Sequence, residues 1–124
     1  MDRKTKGRLA EAKVIAYLVE NGYGVYLPFS DNSKYDVLVV KESKVNRISI
    51  KFTSVKKPSG SWIVEMRQIY RGKEIINIDK FDKTQCDIIA VYIGPIDRVL
   101  LIDASKATPR GLHIQNKIIT GEVA

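Results

Sequence analysis

The apolar positions near the start of the chain recur at helical spacing. Between residues 6 and 21 they fall mostly three or four positions apart or side by side, at Leu9, Ala12, Ile15, Ala16, Leu18 and Val19. This spacing predicts an amphipathic helix over residues 6–21. Asn21 and Gly22 follow the last apolar residue, and both residue types favour the end of a helix.

Short apolar strands separated by polar turns account for most of the remaining sequence. We predict strands over residues 25–27, 35–41, 46–53, 62–70, 88–93 and 99–103. The unbroken apolar run 37–40 favours a central strand covered on both faces. Gly94, Pro95 and Asp97 predict a turn that joins the last two strands as a hairpin, and a short helical turn is expected at 81–86. These elements predict an α/β fold, in which the N-terminal helix packs on a mixed central sheet of four or five strands.

The strand predicted at 46–53 alternates between apolar and polar side chains. Its apolar face carries Ile48, Ile50 and Phe52. Its polar face carries Arg47, Ser49, Lys51 and Thr53. Because successive side chains of a strand point to opposite faces, we expect the first face to pack on a core and the second to meet something polar.

The composition indicates a folded, basic chain. With 124 residues, 44% of them hydrophobic, it can build one core, so we expect a single domain over 1–124. A charged start and the lack of a long apolar run predict a cytoplasmic protein with no membrane segment. One cysteine, Cys86, and one histidine, His113, exclude an internal disulfide and a Cys/His zinc site. The net charge of +7 favours a polyanionic partner, most commonly nucleic acid.

Glu11 stands on the apolar stripe of the predicted helix. It lies one turn before Ile15 and two turns before Leu18, so its carboxylate is expected to point towards the edge of the core. A carboxylate in that position is costly unless it holds a cation or a partner. An ion pair with Lys4 or Arg8, or a place at the wet margin of the stripe, is the ordinary alternative.

Asp36 and Lys51 also stand out by their positions. Asp36 opens an apolar strand, although aspartate often precedes a strand simply because it closes turns. Lys51 lies on the polar face of its strand, where a lysine is usually only solvated. The order along the chain is Glu11, Asp36, a residue two before the lysine, and Lys51. This combination is much less ordinary than its parts.

The combination resembles the PD-(D/E)XK nuclease superfamily. The resemblance rests on Glu11, on the strand around Asp36, and on the strand 47–53, read Arg-Ile-Ser-Ile-Lys-Phe-Thr. The segments 62–67, 87–92 and 98–103 are similar to later strands of the same group. Within the superfamily, the chain is most similar to small single-domain members that include intron-encoded homing endonucleases and archaeal-type Holliday junction resolvases.

The resemblance implies a metal-dependent DNA endonuclease that hydrolyses phosphodiester bonds. It implies that Asp36 and the backbone carbonyl of Ile50 bind Mg²⁺, or Mn²⁺, for which hard oxygen donors are suited. Glu11 would hold a water of that metal or a second cation. Lys51 would orient the attacking water and offset charge at the phosphate.

Ser49 is a departure from the family pattern, which places an acid or a glutamine two residues before the lysine. Serine is uncharged and a poor cation ligand. Three interpretations are open: the site uses only Asp36 and Glu11 as carboxylates, a displaced acid such as Glu65 or Glu74 replaces the missing one, or catalysis is lost and binding retained.

Basic and polar residues around these positions predict contacts with the DNA backbone. The expected contacts are Lys4, Lys6, Arg8, Ser33, Lys34, Thr53, Lys56, Lys57 and Arg67. A chain with one active site must act at least as a homodimer to cut both strands of a duplex or a branched junction. A catalytically silent DNA-binding module, a protein-binding member of the fold and an RNA substrate are the alternatives.

Overall fold

The computed structural model describes residues 1–66, 68–71, 76–79, 81–108 and 111–115, with 68–71 and 76–79 described by their backbone. Helix α1 spans Arg3–Glu20. The strands are β1 (Gly24–Tyr26), β2 (Val37–Lys41), β3 (Lys44–Thr53), β4 (Val55–Lys56), β5 (Trp62–Glu65), β6 (Gln68–Arg71), β7 (Ile76–Asp79), β8 (Ile88–Ile93), β9 (Arg98–Asp103) and β10 (Gly111–Ile114).

A mixed sheet of five strands forms the centre of the fold, in the order β1-β2-β3-β8-β9. Strands β3 and β8 run parallel, and the other neighbours in this sheet are antiparallel. Helix α1 packs on one face of the sheet through the apolar cluster that includes Val14, Leu18 and Ile48. The predicted α/β fold with a mixed central sheet is therefore confirmed.

Helix α1 begins earlier than its apolar spacing predicts. The Asp2 carboxylate accepts a hydrogen bond of 2.7 Å from the Thr5 backbone N–H and caps the first turn. At the other end, Gly22 adopts a φ of 83°, a conformation that terminates helices and strongly favours glycine. The cap at Asp2 explains why the helix reaches back to Arg3.

The buried stripe of α1 is rotated from the predicted one. It consists of Ala10, Val14 and Leu18, whereas Glu11 is exposed. At 100° per residue, Glu11 lies roughly 60° from the centre of that stripe. The expectation that its carboxylate points to the core edge was wrong, because Ala10, not Ala12, sits at the middle of the packed turn.

A second, three-stranded sheet, ordered β10-β5-β4, covers the other face of the central sheet. The apolar cluster between the two sheets includes Trp62, Val64, Ile89 and Val91. The polar face predicted for β3 is therefore partly covered. Ser49 retains 8% of its exposure and Thr53 3%, which corrects the expectation of an open polar face.

Smaller differences concern the ends of strands. The predicted strand 62–70 is divided into β5 and β6, and the segment 81–86 forms a turn rather than a helix, in which the Asp82 carboxylate accepts hydrogen bonds from Thr84. Strand β2 is interior but not the middle strand, and only Val37 and Val39 of it are fully buried. The hairpin from β8 to β9 is confirmed, with a 3₁₀ turn over Gly94–Ile96.

The helix in the described part of the chain lacks the length and apolar character needed to cross a membrane.

Candidate active site

The candidate site lies at the point along β3 where its pairing with β2 ends. Pairing between these strands begins at Val37 and Ile48 and runs towards their turn. On its other edge β3 stays paired with β8 as far as Thr53. The second half of β3 therefore extends beyond β2 and presents a backbone edge at the point where the chain enters β2.

Asp36 binds this edge through its backbone and its side chain. Its N–H donates to the Ile48 carbonyl oxygen over 2.8 Å. Its carboxylate oxygen Oδ2 accepts from the Ile50 N–H over 2.6 Å. The carboxylate thus takes the place of a backbone acceptor beyond the end of β2, and this fixes its orientation against β3.

The same geometry directs the carbonyl of Ile50 to the Asp36 side. In a strand, the N–H and the C=O of one residue point towards the same neighbour. Because the Ile50 N–H meets the Asp36 carboxylate, the Ile50 C=O faces that edge as well. A carboxylate and a backbone carbonyl on one edge are hard oxygen donors of the kind that Mg²⁺ or Mn²⁺ prefers. The residues present therefore fit a divalent cation.

Carboxylates are few at this edge. Among the residues that the structure describes, no group of three or more histidine, cysteine or acidic side chains could hold a metal ion. A cation here would thus depend on Asp36, on the Ile50 carbonyl and on water molecules, with any further acid reaching in from another element.

Ser49 and Lys51 share the opposite face of β3 from Ile50, as their spacing of two requires. Ser49 is buried, and Lys51 is half-buried nearer the end of the strand. Among the residues that the structure describes, none forms a hydrogen bond or an ion pair with the Lys51 ammonium group. Lys51 is therefore half-buried beside the second sheet and has no such partner within the described part of the chain.

Cys86 lies near these two residues, which the sequence did not reveal. Burial raises the pKa of the Cys86 thiol, and the charges of Arg47 and Lys51 and a backbone hydrogen bond from Ser49 oppose that rise only in part. Cys86 precedes β8, and only the parallel register of β3 with β8 brings it beside Ser49. That register has no signal in the sequence.

Glu11 is exposed on one flank of α1. The opposite flank of the helix is identified by two contacts. The Lys6 ammonium lies 5.8 Å from the centre of the Phe52 ring, and the Lys13 ammonium lies 3.0 Å from the Asp97 carboxylate at the β8–β9 hairpin. Helical geometry places Glu11 roughly 160° around the axis from Lys13.

Of the two acids considered as replacements for the missing carboxylate, the structure describes Glu65. Glu65 is exposed, and it alternates with the buried Val64 and Met66. Because neighbouring side chains of a strand point to opposite faces, Glu65 points away from the face that covers Ser49. Glu74 lies outside the described residues.

Most of the predicted DNA contacts lie on the surface. Lys4, Arg8, Lys34, Lys56 and Lys57 are exposed, and Lys6 and Ser33 are half-buried. The Lys56 ammonium lies 5.4 Å from the centre of the Trp62 ring, and the Lys57 ammonium lies 3.5 Å from Nδ1 of His113. These contacts hold the two lysines of the β4–β5 hairpin beside the second sheet.

Two of the predicted contacts have a different outcome. Thr53 is buried, and its hydroxyl donates to the Ile63 carbonyl. Its side chain therefore ties β3 to β5 and is not on an exposed surface, which corrects the expectation of a contact with DNA. Arg67 lies outside the described residues.

Comparisons with known proteins bear on the family and on the fold. The sequence profile of a family described as PD-(D/E)XK endonuclease matches residues 1–119. The solved structure of a bacterial homing endonuclease, I-Ssp6803I, matches with a TM-score of 0.75 and 19% sequence identity, over 92% of this chain and 78% of that chain. At that identity the structural match supports the fold alone. No curated protein sequence gives a match.

Proposed function

This chain belongs to the PD-(D/E)XK endonuclease family, and from that premise we propose that it is a divalent-metal-dependent DNA endonuclease that hydrolyses phosphodiester bonds. One observation carries the proposal. The Asp36 carboxylate is held on the Ile50 N–H at the free edge of β3, beside the Ile50 carbonyl and one residue from Lys51.

Asp36 and the Ile50 carbonyl are the groups that would hold Mg²⁺ or Mn²⁺, with Glu11 holding a water of the site or a second cation from the helix. When bound, the cation offsets charge on the phosphate and makes water a better nucleophile. The hydrogen bond to Ile50 fixes one oxygen of Asp36, so its second oxygen is oriented before a ligand arrives. Such preorganisation avoids a cost of rearrangement during the reaction.

Lys51 has two tasks in this proposal. Its ammonium donates hydrogen bonds to the phosphate or to the attacking water, and its positive charge offsets the charge that develops on the phosphate oxygens. The half-buried stem of Lys51 restricts where the ammonium can move. Because Lys51 directly follows Ile50 on β3, its backbone lies next to the carbonyl group proposed to bind the cation.

Ser49 is the residue on which the choice between an active nuclease and a catalytically silent DNA-binding protein depends. Its hydroxyl is buried on the face covered by the second sheet, so we propose that Asp36 and Glu11 are the carboxylates of the site. The absence of an acid at Ser49 is the specific observation that favours the second candidate, a catalytically silent DNA-binding protein. That candidate predicts binding that is indifferent to Mg²⁺ and to Asp36→Ala.

The test is cleavage of three labelled substrates: a four-way junction, a linear duplex and a supercoiled plasmid. Each is incubated with Mg²⁺, Mn²⁺ or EDTA, beside the Asp36→Ala variant. We expect cutting that requires the metal and is lost in the variant. Preference for the junction would assign a resolvase, and preference for the duplex a homing-type endonuclease. Tight binding without any cutting would favour the silent protein.

A single site of this kind cuts one strand at a time. We therefore propose a homodimer on DNA, since a two-fold pair can present one site to each strand of a duplex or of a symmetric junction. Light scattering of the protein, free and bound to the substrate that it cuts, measures the number of copies.

A further inference from the structure

The loop between β1 and β2 lies at the same end of the sheet as Asp36. Tyr26 at the end of β1 pairs with Leu38 near the start of β2. The chain therefore leaves β1 and enters β2 at one end of the sheet, and residues 27–36 connect them there. This is also the end at which β3 extends beyond β2.

Two large apolar side chains are exposed on this loop. Phe29 is fully exposed, with 106% of its reference surface, and Leu27 retains 70%. Pro28 between them restricts the backbone, and the Ser30 hydroxyl accepts a hydrogen bond of 3.1 Å from the Asn32 N–H. Single exposed apolar residues are ordinary on protein surfaces. Two on a braced loop that leads directly to the proposed site suggest a ligand.

The surroundings of the loop favour DNA over another copy of the chain. The residues that follow Phe29 are polar, and the exposed Asp31 and Lys34 carry opposite charges, so no broad apolar patch surrounds Phe29. A stable dimer needs about 800 Å² of buried surface from each partner, more than two side chains supply. Inserting apolar side chains between base pairs is instead a recurrent mode of binding, because it unstacks a step and lets the duplex bend.

We propose that Phe29, supported by Leu27, is an apolar wedge that enters the base stack of DNA near the scissile phosphate. The inference rests on the proposed nuclease function and adds a specificity-determining residue to it. Phe29 stands seven positions before Asp36, a reach of at most about 25 Å. The unstacked step is therefore expected within about seven base pairs of the cut.

Permanganate oxidation of unstacked thymines tests the wedge. The protein is bound in EDTA to the end-labelled duplex and to the supercoiled plasmid, so that the footprint does not depend on cutting. Wild type should make a thymine hyperreactive near the cut. Phe29→Ala should remove that signal and weaken binding about tenfold, as expected for one lost stacking contact. Phe29→Trp should retain the signal.

Val45→Ala is the matched control, since Val45 is also exposed but lies in the β2–β3 hairpin at the opposite end of the sheet. It should leave the footprint unchanged. Equal reactivity in wild type and Phe29→Ala, or no hyperreactive thymine with bound wild type, would overturn the wedge while cutting by wild type stands. Conversion of a dimer to monomers by Phe29→Ala would overturn it in favour of a subunit contact. If wild type gives the footprint but cuts none of the substrates, the result counts against the proposed nuclease function and not against the wedge.

Discussion

Two aspartates are bound to opposite edges of the same strand. Asp87 accepts from the Arg47 N–H over 2.7 Å on the β8 side, and Asp36 accepts from the Ile50 N–H over 2.6 Å on the β2 side. Asp87 also contacts the Arg47 guanidinium at 3.1 and 3.2 Å. Within the described part of the chain, Asp36 has no ion pair. The same backbone contact thus belongs to an ion-paired carboxylate on one edge and, on the other, to an exposed carboxylate with no ion pair to a described residue.

The difference between Asp87 and Asp36 distinguishes charges with an ion-pair partner in the fold from the charges of the candidate site. Hydrogen bonds from Arg47 lower the pKa of Asp87, and hydrogen bonds from Tyr92 and Lys13 lower the pKa of Asp97. Neither Glu11 nor Lys51 forms an ion pair with another residue that the structure describes. The ion-paired charges of Arg47, Asp87, Lys13 and Asp97 are thus distinct from those of the candidate site.

The largest effect that would sharpen this comparison is expected from Asp36→Asn. The amide oxygen can still accept from the Ile50 N–H, so the fold should keep its stability to within about 1 kcal/mol. The negative charge that attracts a cation is lost, so cutting in Mg²⁺ should fall on the order of a thousandfold. Initial rates on the labelled duplex and urea unfolding measure the two effects. A variant that cuts within tenfold of wild type would remove Asp36 from the site.

Lys51→Met should have the next largest effect. Methionine preserves most of the apolar stem and removes the ammonium, so cutting should fall about a hundredfold while DNA affinity in EDTA changes little. Lys44→Met is the control, because Lys44 is exposed at the other end of β3. If both variants lost activity equally, the effect would be one of general charge and not of position.

Much of the fold could be predicted from local patterns. Local sequence determines several elements: the end of α1 at Gly22, the apolar strands β2 and β8, and the turn at Asp97. Strand 62–70 was predicted as continuous because no proline or glycine directly follows the end of β5 at Glu65. The second sheet was not predicted, because which face of β3 it covers depends on contacts distant in sequence.

The order of the candidate site residues along the chain was predictable, but their burial in the fold was not. Motif spacing identified Asp36 and Lys51, since spacing is a property of the chain. The exposure of Glu11 depends on which neighbours of a wide apolar stripe meet the sheet, and the burial of Ser49 depends on the second sheet. The helical pattern allowed either rotation of α1, and packing against β3 selected one.

A smaller effect is expected from reversing charge at the β4–β5 hairpin. Lys56→Glu with Lys57→Glu should weaken DNA binding about tenfold at moderate salt and reduce the slope of log affinity against log salt by about two. Lys41→Glu with Lys44→Glu, at the opposite end of the sheet, is the matched control. Titrations at several salt concentrations measure both. Equal slopes in the two double variants would show that DNA does not distinguish the two ends of the sheet.

Asp87→Asn makes the reciprocal change to Asp36→Asn and should have the smallest effect. Its amide oxygen can still accept from the Arg47 N–H, but the charge opposite the guanidinium is lost. Both side chains are more than a third exposed, at 38% for Arg47 and 39% for Asp87, so water screens the pair. We expect a loss of only about 1 kcal/mol in the free energy of unfolding, with cutting unchanged.

The pH dependence of that loss has a definite sign. Because folding lowers the pKa of Asp87, the carboxylate contributes stability that is fully present above the ordinary aspartate pKa of about 4 and is lost as the pH falls through the lowered value. Urea unfolding of wild type and Asp87→Asn should therefore differ at neutral pH and converge in acid. A difference that persists unchanged in acid would come from packing and not from charge. Asp87 would then no longer be the electrostatically satisfied counterpart of Asp36.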